Sequence, residues 1–247
     1  MNVEILYQIP GDVSAGLGAP ELERRRRILQ EWAPPDVVVT VADAPGGPLS
    51  IESHAEEFLC VPPMLAALTA RPREPDAVII GCFGDPGLAA VREVLDCPVV
   101  GPFEAALHLG AQLGARVGVV TILESVVPVL DHLVRGMGLS LRYAGATAID
   151  VPVLELKADP AGVADRAAAA GRSLVENGAA DVLVLGCMSL SFLGVAERVA
   201  GALGVPVINP ARCALETARA LAAQGLGHSR RTYAKPRKAL VMERERR

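Results

Sequence analysis

"DAVIIGC" at Asp76–Cys82 and "DVLVLGC" at Asp181–Cys187 are near copies of one another, set 105 residues apart. Each is an apolar run of strand length that ends on Gly-Cys and meets turn residues at once, as expected of a strand covered on both faces. The echo continues downstream, where "CPVVGP" (Cys97–Pro102) matches "VPVINP" (Val205–Pro210) and each leads into an Ala/Leu-rich helical segment. A repeat of this length is too long for a solenoid unit and suits a duplicated α/β half. Two such halves bring equivalent strand ends together across a cleft. Open α/β sheets bind ligands outside the carboxyl ends of their strands, and Cys82 and Cys187 sit at those ends.

The rest of the chain carries the same alternation. Apolar and β-branched runs at Val3–Ile9, Val37–Val41, Ala77–Gly81, Val99–Val100, Val117–Ile122, Ala148–Leu154, Val182–Gly186 and Val205–Ile208 read as strands. Between them, segments with helical periodicity run over Pro20–Trp32, Ser53–Leu68, Phe103–Leu113, Ser125–Met137, Pro160–Asn177, Phe192–Leu203 and Ala211–Gln224. The expected fold is α/β with mainly parallel sheets, in two domains: residues 1–100 with 210–247, and residues 101–209.

Composition narrows the function. A chain of 247 residues, half of them apolar, with a formal net charge of −4 has the makings of a globular core and no general attraction to nucleic acid or anionic membranes. No apolar run approaches the roughly 18–20 residues of a membrane span, and the N-terminus lacks a basic segment followed by an apolar one. Five cysteines without a CxxC pair do not make a disulfide framework, so free thiols in a reducing cytoplasm are expected. The four histidines share no metal-ligand spacing. Neither GxGxxG nor GxxxxGK[ST] follows a strand, so no dinucleotide, nucleotide, metal or other cofactor is expected.

Cys82 is followed by Phe83, Gly84, Asp85 and Pro86, and Asp85-Pro86 reads as the start of a helix three residues past the thiol. In the second copy, Ser189 or Ser191 reads as the cap of a helix starting near Phe192. Helix N-termini favour anions, which suits both a thiolate and an oxyanion. A lone cysteine at a strand end is usually a small buried hydrophobe. Two at equivalent positions of a duplicated unit point instead to a working pair. Cys60, Cys97 and Cys213 have no such setting and read as packing. Opposed thiols suit stereoinversion: one removes a proton from a carbon acid and the other returns a proton on the opposite face. The amides of Phe83, Gly84, Met188 and Ser189 would hold the enolate between these steps.

These residues fit a known family. "GPLSIESHAEE" (Gly47–Glu57), "CFGDPGL" (Cys82–Leu88), "GPFEAALHLGAQLGARVGVVT" (Gly101–Thr121) and "SRRTYAKP" (Ser229–Pro236) resemble the aspartate/glutamate/hydantoin racemase superfamily, and within it the hydantoin racemase branch. The likeness covers nearly the whole chain. It implies two flavodoxin-like domains about a pseudo-twofold axis, Cys82 and Cys187 as the acid/base pair, no cofactor, and a homo-oligomer. Two segments depart from the family pattern. "QIPGD" (Gln8–Asp12) replaces an Asn-Pro-Asn type turn, and "MSLSF" (Met188–Phe192) replaces a small Gly-containing stretch. The apolar Phe83, Met188 and Ile9, with Gly84, suit an uncharged carbonyl compound such as a 5-substituted hydantoin, with Thr121 and Ser189 as candidate hydrogen-bond partners. Allantoin and amino acids remain alternative substrates. A solute-binding module and a thiol redox protein remain alternative functions.

Other motifs read as structural. Asp85 and Glu104 suit helix starts, and Glu52 and His54 a solvated one. The run Arg24–Arg27 suits a solvated helix face. The basic end from Arg230 to Arg247 contains glutamates as well, and reads as tail docking or solvation.

Overall fold

The computed structural model describes residues 3–238. The last residues of the basic tail, 239–247, lie outside them. The first half contains β1 (Val3–Gln8), α1 (Val13–Gly16), α2 (Pro20–Trp32), β2 (Val37–Ala42), α3 (His54–Leu59), α4 (Val61–Thr69), β3 (Ala77–Ile80), α5 (Leu88–Val94), β4 (Val99–Val100) and α6 (Pro102–Leu113). The second half repeats the scheme with β5 (Val117–Thr121), α7 (Val127–Gly136), β6 (Tyr143–Ala148), α8 (Pro160–Gly178), β7 (Val182–Leu185), α9 (Met188–Ser191), α10 (Val195–Leu203), β8 (Val207–Ile208) and α11 (Pro210–Ala223). The strands form two four-stranded sheets, ordered β2-β1-β3-β4 and β6-β5-β7-β8, and every pairing is parallel. The same order in both sheets is the duplication in three dimensions, and it matches the start of the flavodoxin-like order. Among the described residues no helix is long and apolar enough to cross a membrane.

Each half lends a helix to the other. Helix α6, which follows β4, lies against β5 and β7, while α11, which follows β8, lies against β1 and β3; the two helices also touch each other. One continuous apolar core results, running from Ile5 and Tyr7 through Phe103, Leu107, Ala211 and Leu215 to Val119 and Val184.

The repeated letters have repeated roles. Asp76 opens the first copy and its carboxylate accepts from the Glu4 amide at 2.7 Å, while Asp181 accepts from the Ala115 and Arg116 amides at 2.8 Å each. Both aspartates thereby tie down the strand that precedes the central one. The Pro-initiated helices differ in their caps. Asn209 caps α11 with its own side chain, accepting from the Ala211 and Arg212 amides at 3.1 Å each. Gly101 has no side chain, and the cap of α6 comes from Asp85, which accepts from Phe103 and Glu104 at 3.0 and 2.9 Å.

Four expectations from the sequence need correction. Asp85 does not start its own helix: its φ is +49°, and α5 begins only at Leu88, after Gly87. The expected strand Ala148–Leu154 belongs earlier, at Tyr143–Ala148, and Val153–Glu155 is a 3-10 turn. Pro152 ends strand pairing there, whereas the small residues of "YAGATA" fit an edge strand despite their low β propensity. Segment Ser53–Leu68 breaks at Cys60, just before Pro62 and Pro63, so that Ser53 caps a short α3 and the prolines open α4. Neither Ser189 nor Ser191 caps a helix near Phe192: α9 starts directly after Cys187, and Gly194 precedes α10. The tail docks as far as it is described, with Arg230 donating to the Arg92 carbonyl at 3.0 Å and Arg92 to the Tyr233 hydroxyl at 3.2 Å.

Candidate active site

The glycine before each cysteine sets the site. Gly81 donates to the Gln8 carbonyl at 2.7 Å, and Gly186 donates to the Val120 carbonyl at 2.6 Å. A Cβ at Gly81 would lie 2.8 Å from the Tyr7 ring and 3.0 Å from the Ile9 backbone; one at Gly186 would lie 2.8 Å from both Thr121 Cβ and Val119 Cγ1. Only glycine lets each central strand leave its sheet this close to its neighbour. The chain then turns and presents the next residue, a cysteine, at the sheet's carboxyl end.

Both thiols line one cleft, about 770 Å³ with its open mouth included. Ile9, Phe83, Gly84, Met188 and Ser189 line it too. Phe83 is braced edge-on against Phe103, with ring centroids 5.2 Å apart. Thr121 is a correction. It is fully buried outside the cleft, and its hydroxyl donates to the Gly186 carbonyl at 3.1 Å. Its role is to hold the Gly186–Cys187 peptide. Cys60 is buried and donates to the Glu57 carbonyl at 3.1 Å, in keeping with a packing residue. Among the described residues no cluster of three or more His, Cys, Asp or Glu is placed to hold a metal ion.

The run Arg24–Arg27 is not simply a solvated face. Arg25 is buried and lines the cleft, its Nε donating to Glu21 at 2.8 Å and its Nη2 to the Ser189 hydroxyl at 3.1 Å. Its guanidinium also lies 5.2 Å from the centre of the Phe192 ring. Glu21 is buried as well and is shared by Arg24, Arg25 and Lys157. Burial alone would raise its pKa, but hydrogen bonds from Arg24, Lys157 and Arg25 outweigh this and lower it to about 2. Spacing gave one hint of this arrangement, since Glu21 and Arg25 are a helical i,i+4 pair. Nothing local marks which of four consecutive arginines turns inward.

Two acids of the Gly47–Glu57 segment also reach the cleft. Glu52 accepts from the Val153 amide at 2.7 Å and so ties the segment to the second half. Glu57 is half-buried, with His54 Nδ1 at 3.5 Å, and burial raises its carboxyl pKa.

Burial also raises the pKa of both central thiols. For Cys82 the Gly84 amide pulls the other way, while Cys60, Cys187 and Glu57 add to the rise. For Cys187 the Ser189 and Leu190 amides, Arg25 and the Ser189 hydroxyl all oppose it. The sequence assigns both cysteines to helix starts. The structure grants this only to Cys187, because the turn after Cys82 runs on to Leu88.

A model of the family described as Asp/Glu/hydantoin racemase matches residues 21–218. The chain belongs to that family. A hydantoin racemase from Rhizobium meliloti is 38% identical over 81% of this chain and 83% of its own length. One from Paenarthrobacter aurescens is 35% identical over 81% of this chain and 85% of its own. Among solved structures, the allantoin racemase of Pseudomonas fluorescens superposes with a TM-score of 0.90 at 28% identity, covering 98% of this chain and all of that one. The family and these relatives make the protein a racemase, and two parallel α/β halves are the family's architecture.

Proposed function

We propose that the enzyme racemises 5-substituted hydantoins by proton transfer between Cys82 and Cys187, without a cofactor. The observation that carries this reading is the convergence of the two thiols, from equivalent ends of two like sheets, on one cleft. One thiolate takes the proton from C5 of the ring. The freed electron pair moves onto the adjacent carbonyl as an enolate, which accepts hydrogen bonds from amides beside the cysteines. The opposite thiol then gives its proton to the other face of C5. The product has inverted configuration, and the enzyme has moved one proton from one sulfur to the other.

The lining supports a ring of this kind. Ile9, Phe83 and Met188 offer apolar surface for the 5-substituent, and Ser189, whose hydroxyl accepts from Arg25, adds a polar group beside Cys187. Allantoin is itself a hydantoin, with a ureido group at C5, so the hydantoin and allantoin racemases among the relatives share the reacting ring. The reading includes a homo-oligomer in a reducing cytoplasm, whose halves are residues 1–100 with 210–247 and residues 101–209.

Proton NMR in deuterated water on single-enantiomer hydantoins, allantoin and free amino acids tests it. Loss of the C5 proton signal with loss of optical purity, abolished by Cys82→Ser and by Cys187→Ser, is the expected result. A hydantoin that binds yet keeps its C5 proton would favour a binding module.

A further inference from the structure

Two residues past each cysteine, the two halves of the cleft meet opposite charges. Ser189 is held by the buried Arg25 guanidinium at 3.1 Å. At the equivalent Gly84, the Glu57 Oε1 atom lies 2.5 Å from where a Cβ would stand, so the carboxylate rests directly over that glycine. The positive side carries a surplus, because one carboxylate, Glu21, serves Arg24, Arg25 and Lys157 together. On the negative side, the ion-pair partner of Glu57 among the described residues is His54 at 3.5 Å, on an exposed side chain.

We propose that Arg25 and Glu57 polarise the thiol pair, so that Cys187 is the first of the two to ionise while Cys82 keeps its proton. This rests on the two-thiol reading above and deepens it. Both are positioning residues, acting through the sulfur atoms. The charged and titratable groups around Cys187 are Arg25 from α2, Tyr7 from β1 and Cys82 across the cleft. Those around Cys82 are Glu57 from α3, Cys60 at the α3–α4 junction, Tyr7 and Cys187. Tyr7 is buried and stays neutral, because burial pushes its pKa up more than the neighbouring Arg25 guanidinium lowers it. Among the described residues lining the cleft, Arg25 is the cation beside Ser189, with Glu21 as its own counter-ion, and Glu57 is the carboxylate over Gly84, with Glu52 further along the same segment. The pKa of the Cys82 thiol stands well above its usual value, whereas Arg25 and the α9 amides restrain the rise at Cys187.

The cycle follows from this order of ionisation. Cys187 takes the C5 proton of one enantiomer while Cys82 releases its own to the other face. The enzyme is left with Cys187 protonated and Cys82 ionised, against the local field. It resets by turning over the opposite enantiomer or by exchanging protons with water.

Limiting iodoacetamide on the whole chain, with peptide mass spectrometry to locate the label, reads the thiolate directly. Exposure alone predicts Cys82 first, since it is half-buried while Cys187 is 8% exposed. The proposal predicts the reverse, with Cys187 labelled about tenfold faster because it supplies more thiolate. Arg25→Met should slow labelling of Cys187 several-fold and move its rate–pH curve to higher pH, with Arg25→Lys restoring most of both. Glu57→Gln should speed labelling of Cys82 and leave Cys187 unchanged. Preferential labelling of Cys82 in the wild type, or a Cys187 rate–pH curve that Arg25→Met does not move, would overturn the proposal. If Arg25→Met fails to fold, the Glu57→Gln result and the wild-type order decide alone. Labelling needs no turnover, so a failed hydantoin assay with Cys187 labelled first sinks the substrate reading and leaves the polarised pair standing.

Discussion

The carboxylate of Asp85 occupies the space that a side chain at Gly101 would need: a Cβ there would lie 2.2 Å from Asp85 Oδ2. This pairing of an acid with a missing side chain joins the turn after Cys82 to the start of α6, the helix that the first half lends to the second.

Asp85→Ala should therefore leave two amides at the α6 N-terminus without an acceptor. The expected cost is about 1–3 kcal/mol, measured by urea unfolding, with a loss of racemase activity because the Cys82 turn loses its anchor. Gly101→Ala should cost at least as much, since it evicts the same carboxylate while leaving it buried. Equal stability of wild type and Asp85→Ala would show that the cap is dispensable.

Gly186→Ala places a methyl group 2.8 Å from Val119 and Thr121. Backbone must move, because Thr121 is itself fixed to the Gly186 carbonyl. Overpacking of about 1–3 kcal/mol is expected, together with a fall of about 100-fold in kcat, since a displacement near 1 Å at the thiol is enough for that. Circular dichroism melts and steady-state kinetics separate the two effects.

The pH profile should reflect two thiols held above their ordinary value. On the proposed two-thiol mechanism, activity needs one sulfur ionised and the other protonated. Because burial raises both, the ionised fraction at neutral pH is small, and kcat/KM should keep climbing as pH rises toward and past 9, the ordinary thiol pKa. The fall at still higher pH belongs to the second ionisation of the coupled pair. An activity maximum near pH 6 would contradict the buried, desolvated site.

Glu21 should make the fold sensitive to acid. Its carboxyl is held at about 2 in the folded chain against an ordinary value of 4.5. The unfolded chain thus binds the extra proton first. The stabilisation is complete above pH 4.5 and is lost as pH falls toward 2. It amounts to about 3 kcal/mol. Glu21→Gln should remove most of that pH dependence, read from urea midpoints between pH 7 and pH 3.

The sequence alone carried the two copies, the alternating parallel halves and the placement of Cys82 and Cys187 at equivalent strand ends. These properties repeat along the chain: hydrophobic runs set by local spacing, and a Gly-Cys that recurs because each central strand must pass close to its neighbour. Ile9, Phe83, Gly84, Met188 and Ser189 followed, because chain neighbours of a strand end are also its neighbours in space. Tertiary structure alone decided which distant groups meet them. Asp85 caps a helix across the turn rather than its own, because Gly101 leaves that space open. Thr121 spends its hydroxyl on the Gly186 carbonyl, because adjacent strands bring the two together. Arg25 rather than its three neighbours enters the cleft, and Glu57 rests over Gly84, because helix rotation and packing depend on the whole core. The spacing of letters records none of these, so the charges that distinguish the two thiols emerge only from the folded chain.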